Sequence, residues 1–190
     1  PAVPSLSEAD WQAIRSEYYR RSLLRLVEDN LPGYESGWIH HTIASELTDF
    51  LRAVEAGQSP RLMLMVPPRH GKSEIASKHF PAWAFARNPN LSIIGASYAS
   101  DLAARVNRDV QRIMDGALYR SAFPDVGLSG KAVRSTFEGN YLRNSEIFEI
   151  VDHVGSYRGA GVGQGITGMG ADILIIDDPV KDAEQARSER

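Results

Sequence analysis

The chain has 190 residues, 43% of them hydrophobic and 24% charged, enough apolar material to bury a core. A formal charge of -3 excludes a whole-protein basic field, so any contact with nucleic acid must come from a local patch. There is no cysteine, hence no disulfide frame and no thiolate metal site, and no apolar run approaches the roughly 18 residues that span a bilayer.

The N-terminus lacks a basic-then-apolar leader pattern, and the default expectation is a soluble intracellular protein. Ser7 and Asp10 form a capping-box pattern that predicts one helix through residues 11–30, stopped by "LPGYESG". A second helix fits residues 40–57, with Ile43, Leu47, Leu51 and Val54 on one face and Gly57 as C-cap. "RLMLMV" (61–66) has the composition of a short buried strand, and a helix is expected from Lys72, bent or ended near Pro81. "LSIIGASY" (91–98) predicts another buried strand. Ser100 then caps a helix whose apolar stripe is Leu102, Val106, Val110 and Ile113.

Residues 115–146 are weakly patterned and suggest turns with short antiparallel strands; "EIFEIV" (146–151) suggests a further strand. Six glycines fall within residues 159–170, and "DILIIDDP" (172–179) is a very apolar strand closed by two acids. Buried strands alternating with helices predict an α/β domain with a largely parallel central sheet flanked by helices. Residues 1–36 form an N-terminal helical appendage to a domain over 37–190. The last residues, "AEQARSER", sit inside an uncapped helical pattern, so the expectation is a piece of a longer chain.

The stretch "VPPRHGKSE" (66–74) ends as a phosphate-binding loop does, in Gly71, Lys72 and Ser73, but has Val66 where the usual pattern has glycine. In such loops the consecutive N–H groups and the following helix N-terminus surround a phosphate, and the lysine reaches its oxygens. The donors that matter lie over Arg69 to Ser73. Pro67 and Pro68 lack N–H groups but sit where the chain only leaves the preceding segment. Val66 is compatible with the loop provided that no positive φ is needed there.

The acidic strand supplies the partner. Asp177, placed near the Ser73 hydroxyl, has the chemistry to hold a magnesium ion through water. Asp178 has two readings: a carboxylate that orients and polarises the attacking water, or a cap for a helix whose first residue is Pro179.

With these residues in place the chain resembles the ATPase domain of the large terminase subunit of tailed bacteriophages, the motor that packages viral DNA. The likeness rests on "MVPPRHGKSE", "IIGASYASDLAARVNRDV", "GITGMGADILIIDDPVKD" and, more weakly, "WIHHTIASELTDFL", in order over residues 38–182. An arginine in place of loop glycines is a habit of that family. The resemblance implies a P-loop NTPase fold of the ASCE type that hydrolyses ATP with Mg2+ to drive double-stranded DNA through a portal ring. It implies the portal protein and the small terminase subunit as partners, and a homo-oligomeric ring during packaging from subunits that are monomeric in isolation. The place would be the host cytoplasm, at the procapsid portal, with no membrane involved.

Carried over by position, the nucleotide-binding residues are Pro68, Arg69, His70, Gly71, Lys72, Ser73 and Glu74. The metal residues are Ser73 and Asp177. The catalytic set is Asp178, Arg69 near the γ-phosphate, and Lys72. Many relatives have glutamate at the position of Asp178, and aspartate is one methylene shorter. The family's coupling motif and metal-dependent nuclease domain do not follow the acidic strand here, so no DNA cleavage is expected of this fragment.

Three features have competing readings. Arg105, Arg108 and Arg112 lie within about 60° of each other on a helix, flanking its apolar stripe. They form either a solvated face balanced by Asp101 and Asp109 or the source of an arginine finger for a neighbouring subunit, with Arg158 as rival. Trp38 either stacks on an adenine base, as the resemblance suggests, or staples two helices in the core. The formal G-x-G-x-x-G at 163–168 opens no helix, which excludes a dinucleotide fingerprint. The glycine run is then a flexible turn, or a place where backbone passes close to DNA or a neighbour. His40 and His41 have no matching cluster of ligands. Alternatives to the packaging motor are a helicase-type translocase stimulated by DNA and a nucleotide-responsive module that docks on a portal without hydrolysis.

Overall fold

A computed structural model describes residues 6–130, 133–134, 141–161, 168 and 170–180. The Ser7 capping box forms: the Ser7 hydroxyl accepts the Asp10 N–H at 3.2 Å, and the Asp10 carboxylate accepts the Ser7 N–H at 2.9 Å. The helix it opens, α1 (Glu8–Arg21), does not continue to residue 30 as expected. Ser22 is extended (φ -142°, ψ 108°) and its hydroxyl caps the Arg25 N–H, so a second helix, α2 (Leu23–Asn30), starts there. Serine offers the backbone an alternative partner, and here that alternative wins.

Helix α3 (Trp38–Glu55) begins two residues before the expected start, with Gly37 as N-cap and the Gly37 N–H donated to His40 Nδ1 at 2.8 Å. Its end is a Schellman motif: the Gly57 N–H bonds the Val54 carbonyl and the Gln58 N–H bonds the Ala53 carbonyl, both at 2.9 Å. Ile43, Leu47 and Leu51 are buried as the periodicity requires.

Residues 61–66 are a correction. Their exposure alternates along the chain, but they belong to neither sheet. Leu62, Leu64 and Val66 lean on the core, while Met63 and Met65 are 79% and 84% exposed. The helix after the loop starts at Lys72 as expected, but from Glu74 to His79 it is wound as a π-helix and only then becomes α4 (Phe80–Arg87). Pro81 falls in the first turn of α4, where a missing N–H is tolerated, so it marks the change of winding and not the end of the helix.

Strand β1 (Ser92–Ser97) is followed by α5 (Ser100–Asp115) and α6 (Ala117–Ala122). The N-cap of α5 is Ala99, with Ser100 already helical. Its buried face is Ala103, Asn107, Val110, Gln111 and Met114 with Ile113, one position round from the expected stripe, because Leu102 and Val106 are only half-buried. Among the described residues of 115–146 the structure has α6 and a pair that is parallel, β2 (Val133–Arg134) with β3 (Tyr141–Leu142), and Arg143 forms an antiparallel bridge with Phe148.

The main sheet has the order β4-β5-β1-β6, where β4 is Ile147–Glu149, β5 is Ser156–Gly161 and β6 is Ile173–Ile176. β5, β1 and β6 run parallel and β4 is antiparallel to β5. β5 was not foreseen, because its second half was read as the start of the glycine run. Gly159 is part of the strand, and a Cβ there would lie 2.9 Å from the Ala103 carbonyl oxygen of α5. That close approach of helix to sheet, and not turn flexibility, explains the glycine. The remainder of the run, 162–167 and 169, lies outside the described residues. One core joins α1 to α6 and the main sheet, centred on buried Trp83, Phe80, Phe85, Tyr119 and the stacked Phe148–Tyr157 pair, whose ring centroids are 5.4 Å apart.

Candidate functional site

The loop 67–71 and the C-terminal end of β6 meet. Lys72 Nζ lies 3.2 Å from Asp177 Oδ1 and 3.7 Å from Asp178 Oδ1. The backbone that aims these groups is specific. Val66 has no positive φ, so the absent glycine costs nothing there; the positive values in the loop fall on Arg69 (64°) and Gly71 (73°). Such conformations are the raw material of anion-binding nests. For Arg69, a residue with a side chain, the left-handed region carries strain of the order of 1 kcal/mol or more, held by the surrounding loop.

Gly71 is required twice over. Its φ favours glycine, and a Cβ would lie 3.1 Å from both His40 Nε2 and the Tyr34 hydroxyl oxygen. The segment before α3 and its first turn thus back the 67–71 loop. The Tyr34 hydroxyl is buried there without a hydrogen-bond partner among the described residues.

On the acidic side, the Asp177 N–H donates to the Ala96 carbonyl at 2.9 Å, fixing the end of β6 to β1. The Asp178 carbonyl accepts the Tyr98 N–H at 3.1 Å, and Asp178 adopts φ 47°, a region in which aspartate is enriched. The Ser77 hydroxyl, buried in the π-helical segment, donates to Asp177 Oδ2 at 2.7 Å. Partial burial pushes the Asp177 carboxyl up, but the hydrogen bonds from Ser77 and Ser73 and the Lys72 ammonium outweigh it, leaving the group below the usual carboxylate range. Ser77, Ser97, Tyr157 and Asp177 also line a cavity of about 10 Å³, the size of one water.

The structure brings together Gly71, Lys72, Ser73, Asp177 and Asp178. His70 Nδ1 is turned back to the Pro68 carbonyl at 2.9 Å, and Glu74 points away from the acids to Lys78 at 2.8 Å. Trp38 is 79% exposed, which overturns its reading as a core staple. Arg105, Arg108 and Arg112 are exposed on α5 and Arg158 is half-buried on β5; none of the four is among the described partners of Lys72, Asp177 or Asp178. Asp109 pairs with Arg112 at 2.8 Å and Lys78 at 3.3 Å, not with Arg105. The helix that Asp178 was considered to cap would run into 181–190, outside the described residues.

Sequence reasoning missed Ser77, Tyr34 and the backing role of His40. Ser77 carried a legible signal: a small hydroxyl residue four positions after Ser73, on the helix that must face the acidic strand. Tyr34 carried none, since its contact with Gly71 depends on how α3 folds back.

The donor set fits a small hard cation accompanied by phosphates. It offers hydroxyl and carboxylate oxygens next to an ammonium, and magnesium is commonly held by one or two carboxylates, phosphate oxygens and water. Among the described residues there is no cluster of three or more His, Cys, Asp or Glu to hold a metal alone.

Residues 63–190, more than half of the chain, match a family model described as the large terminase subunit, T4likevirus-type, N-terminal. No curated protein and no solved structure matches the chain.

Proposed function

Because the chain belongs to the family of large terminase subunits, and so to the machinery of phage DNA packaging, we propose that it is the nucleotide-hydrolysing part of that motor, with a P-loop NTPase site at Lys72, Ser73, Asp177 and Asp178. The observation that carries this reading is the Lys72 ammonium held at 3.2 Å and 3.7 Å from two adjacent carboxylates on a strand that the loop meets end-on. A lysine after a glycine of positive φ, facing paired acids, is the arrangement in which a triphosphate and its cation take up opposite charges.

In this reading Lys72 turns from the acids to phosphate oxygens, and the N–H groups from Arg69 to Ser73 surround the β-phosphate. Pro68, Arg69, His70, Gly71 and Glu74 shape that loop, with the Arg69 guanidinium directed to the γ-phosphate. Ser73 and Asp177 would hold Mg2+, which when bound supplies neutralisation of charge on the phosphates. Asp178, freed of Lys72, accepts a hydrogen bond from the attacking water and orients it. Its exposed carboxylate suits that role better than the half-buried Asp177. Trp38 is free to stack on a base, and one of Arg105, Arg108, Arg112 or Arg158 would serve a neighbouring subunit in the ring. Double-stranded DNA, the portal protein and the small terminase subunit are the partners of this motor, acting in the host cytoplasm.

The test compares phosphate release by the wild type, Lys72→Ala and Asp178→Asn on assembled motors with DNA. Asp178→Asn is expected to lower kcat by about 10²- to 10⁴-fold while nucleotide still binds, as loss of a positioned base does elsewhere. Lys72→Ala is expected to weaken binding itself. Wild-type release no faster than either variant would overturn the reading.

A further inference from the structure

Ser77 gives its only donor to the site's acid. A buried serine in a helix ordinarily bonds the carbonyl four residues back. Ser77 instead reaches Asp177 Oδ2 at 2.7 Å, across 100 positions of sequence. The segment that carries it is wound as a π-helix, with the Phe80 N–H bonded to the Ile75 carbonyl. Ser73 and Ser77 both hydrogen-bond the Asp177 carboxylate.

Asp177 needs that contact. Its backbone is fixed by the bond from its N–H to Ala96, but the terminal torsion of an aspartate is broad and roughly two-fold. With Oδ2 held by Ser77, Oδ1 is the oxygen left facing Lys72 at 3.2 Å. We propose that Ser77 is a positioning residue for Asp177, presenting one fixed carboxylate oxygen to the divalent cation that accompanies a nucleotide. The inference rests on the nucleotide reading above and deepens it: Ser77 sets the site's demand for the metal, not for the nucleotide.

The experiment measures binding of a nonhydrolysable ATP analogue to the full chain across a Mg2+ titration and in EDTA. The chains compared are the wild type, Ser77→Ala, Ser77→Cys, Ser77→Thr and Lys72→Ala. Loss of a hydrogen bond to a charged group predicts that Ser77→Ala raises the Mg2+ concentration for half-maximal binding by about tenfold or more. Binding in EDTA should hold, and Ser77→Thr, which keeps the hydroxyl, should restore the wild-type requirement. Ser77→Cys, near-isosteric with a weak donor, carries the same comparison if the alanine chain does not fold. A wild-type Mg2+ requirement in Ser77→Ala or Ser77→Cys, with binding still dependent on Lys72, overturns the role of Ser77 and leaves the nucleotide site standing. An equal loss with and without Mg2+ also overturns it, showing a structural role alone. Wild-type binding insensitive to Lys72→Ala overturns both readings.

Discussion

Strand β1 and residues 61–66 are two short apolar segments that lead into the same site, and the molecule treats them differently. β1 bonds β5 on one edge and β6 on the other, and Ile93, Ile94 and Ala96 are buried. Residues 61–66 have no ladder among the described residues: alternate side chains rest on the core and the others, Met63 and Met65, stand 79% and 84% exposed. Apolar composition measures how much a segment gains by leaving water. It does not supply the neighbouring edges that turn an extended chain into a strand. The consequence for the site is an asymmetry of support. The acids hang on β6, which is bonded to β1, while the 67–71 loop follows a segment that, among the described residues, is held by side-chain packing.

The largest expected expression of that asymmetry is in amide exchange. Amides of β1 should exchange only through global opening, whereas those of residues 62–66 should exchange with little protection. For a domain of ordinary stability the gap is about 10³-fold or more. Equal protection in the two segments would mean that 61–66 is hydrogen-bonded after all. A smaller effect sharpens the same contrast through side chains. Ile93→Ala should destabilise the fold by about 2–5 kcal/mol, as truncation in a closed core does. Met65→Ala should fall within about 0.5 kcal/mol, as surface changes do. A denaturant series on both variants checks the pair, and comparable losses would show that Met65 is covered in solution.

The difference between the segments also marks what was legible in the sequence. The meeting of the Gly71–Ser73 loop with the acid-bearing end of β6 was legible because each is a local pattern of opposite charge: Lys72 on one side, Asp177 and Asp178 on the other. Helix ends were legible where one residue type decides them, as at Ser7 by its hydroxyl and at Gly57 by its positive φ. Ser22 divided a helix that periodicity alone joined, since its hydroxyl competes with the backbone only once the tertiary turn is available. β5 was hidden because glycines that serve close approach to α5 look the same as glycines that serve flexibility. The place of Tyr34 and His40 behind Gly71 and the π winding of residues 74–79 are set by packing between distant segments and leave no periodic trace, whereas the contact of Ser77 with Asp177 left its spacing from Ser73 as a signal.

The smallest effect, and the one that separates the two sides by pH, lies at His79. It is fully buried at the core end of the helix that begins in the loop. Its Nδ1–H donates to the Glu74 carbonyl at 2.9 Å and its Nε2 accepts from Asn30 at 3.1 Å, the arrangement of a neutral ring. Burial holds its pKa below the ordinary histidine value; Glu74 opposes that shift and Lys78 adds to it. The unfolded chain therefore binds a proton before the folded one does, and stability rises with pH through that interval. The contribution is present above about pH 6.5, the unfolded value, and is lost as pH falls toward the lower folded one. Asp177 is also depressed, but from the carboxylate range, so its contribution persists until pH falls below about 4. Denaturant midpoints between pH 7.5 and 5.5 thus report on the core side with the acids of the site still charged. His79→Gln is expected to lower stability at pH 7.5 and to flatten the slope across that interval; a variant with the wild-type slope would place the titrating group elsewhere.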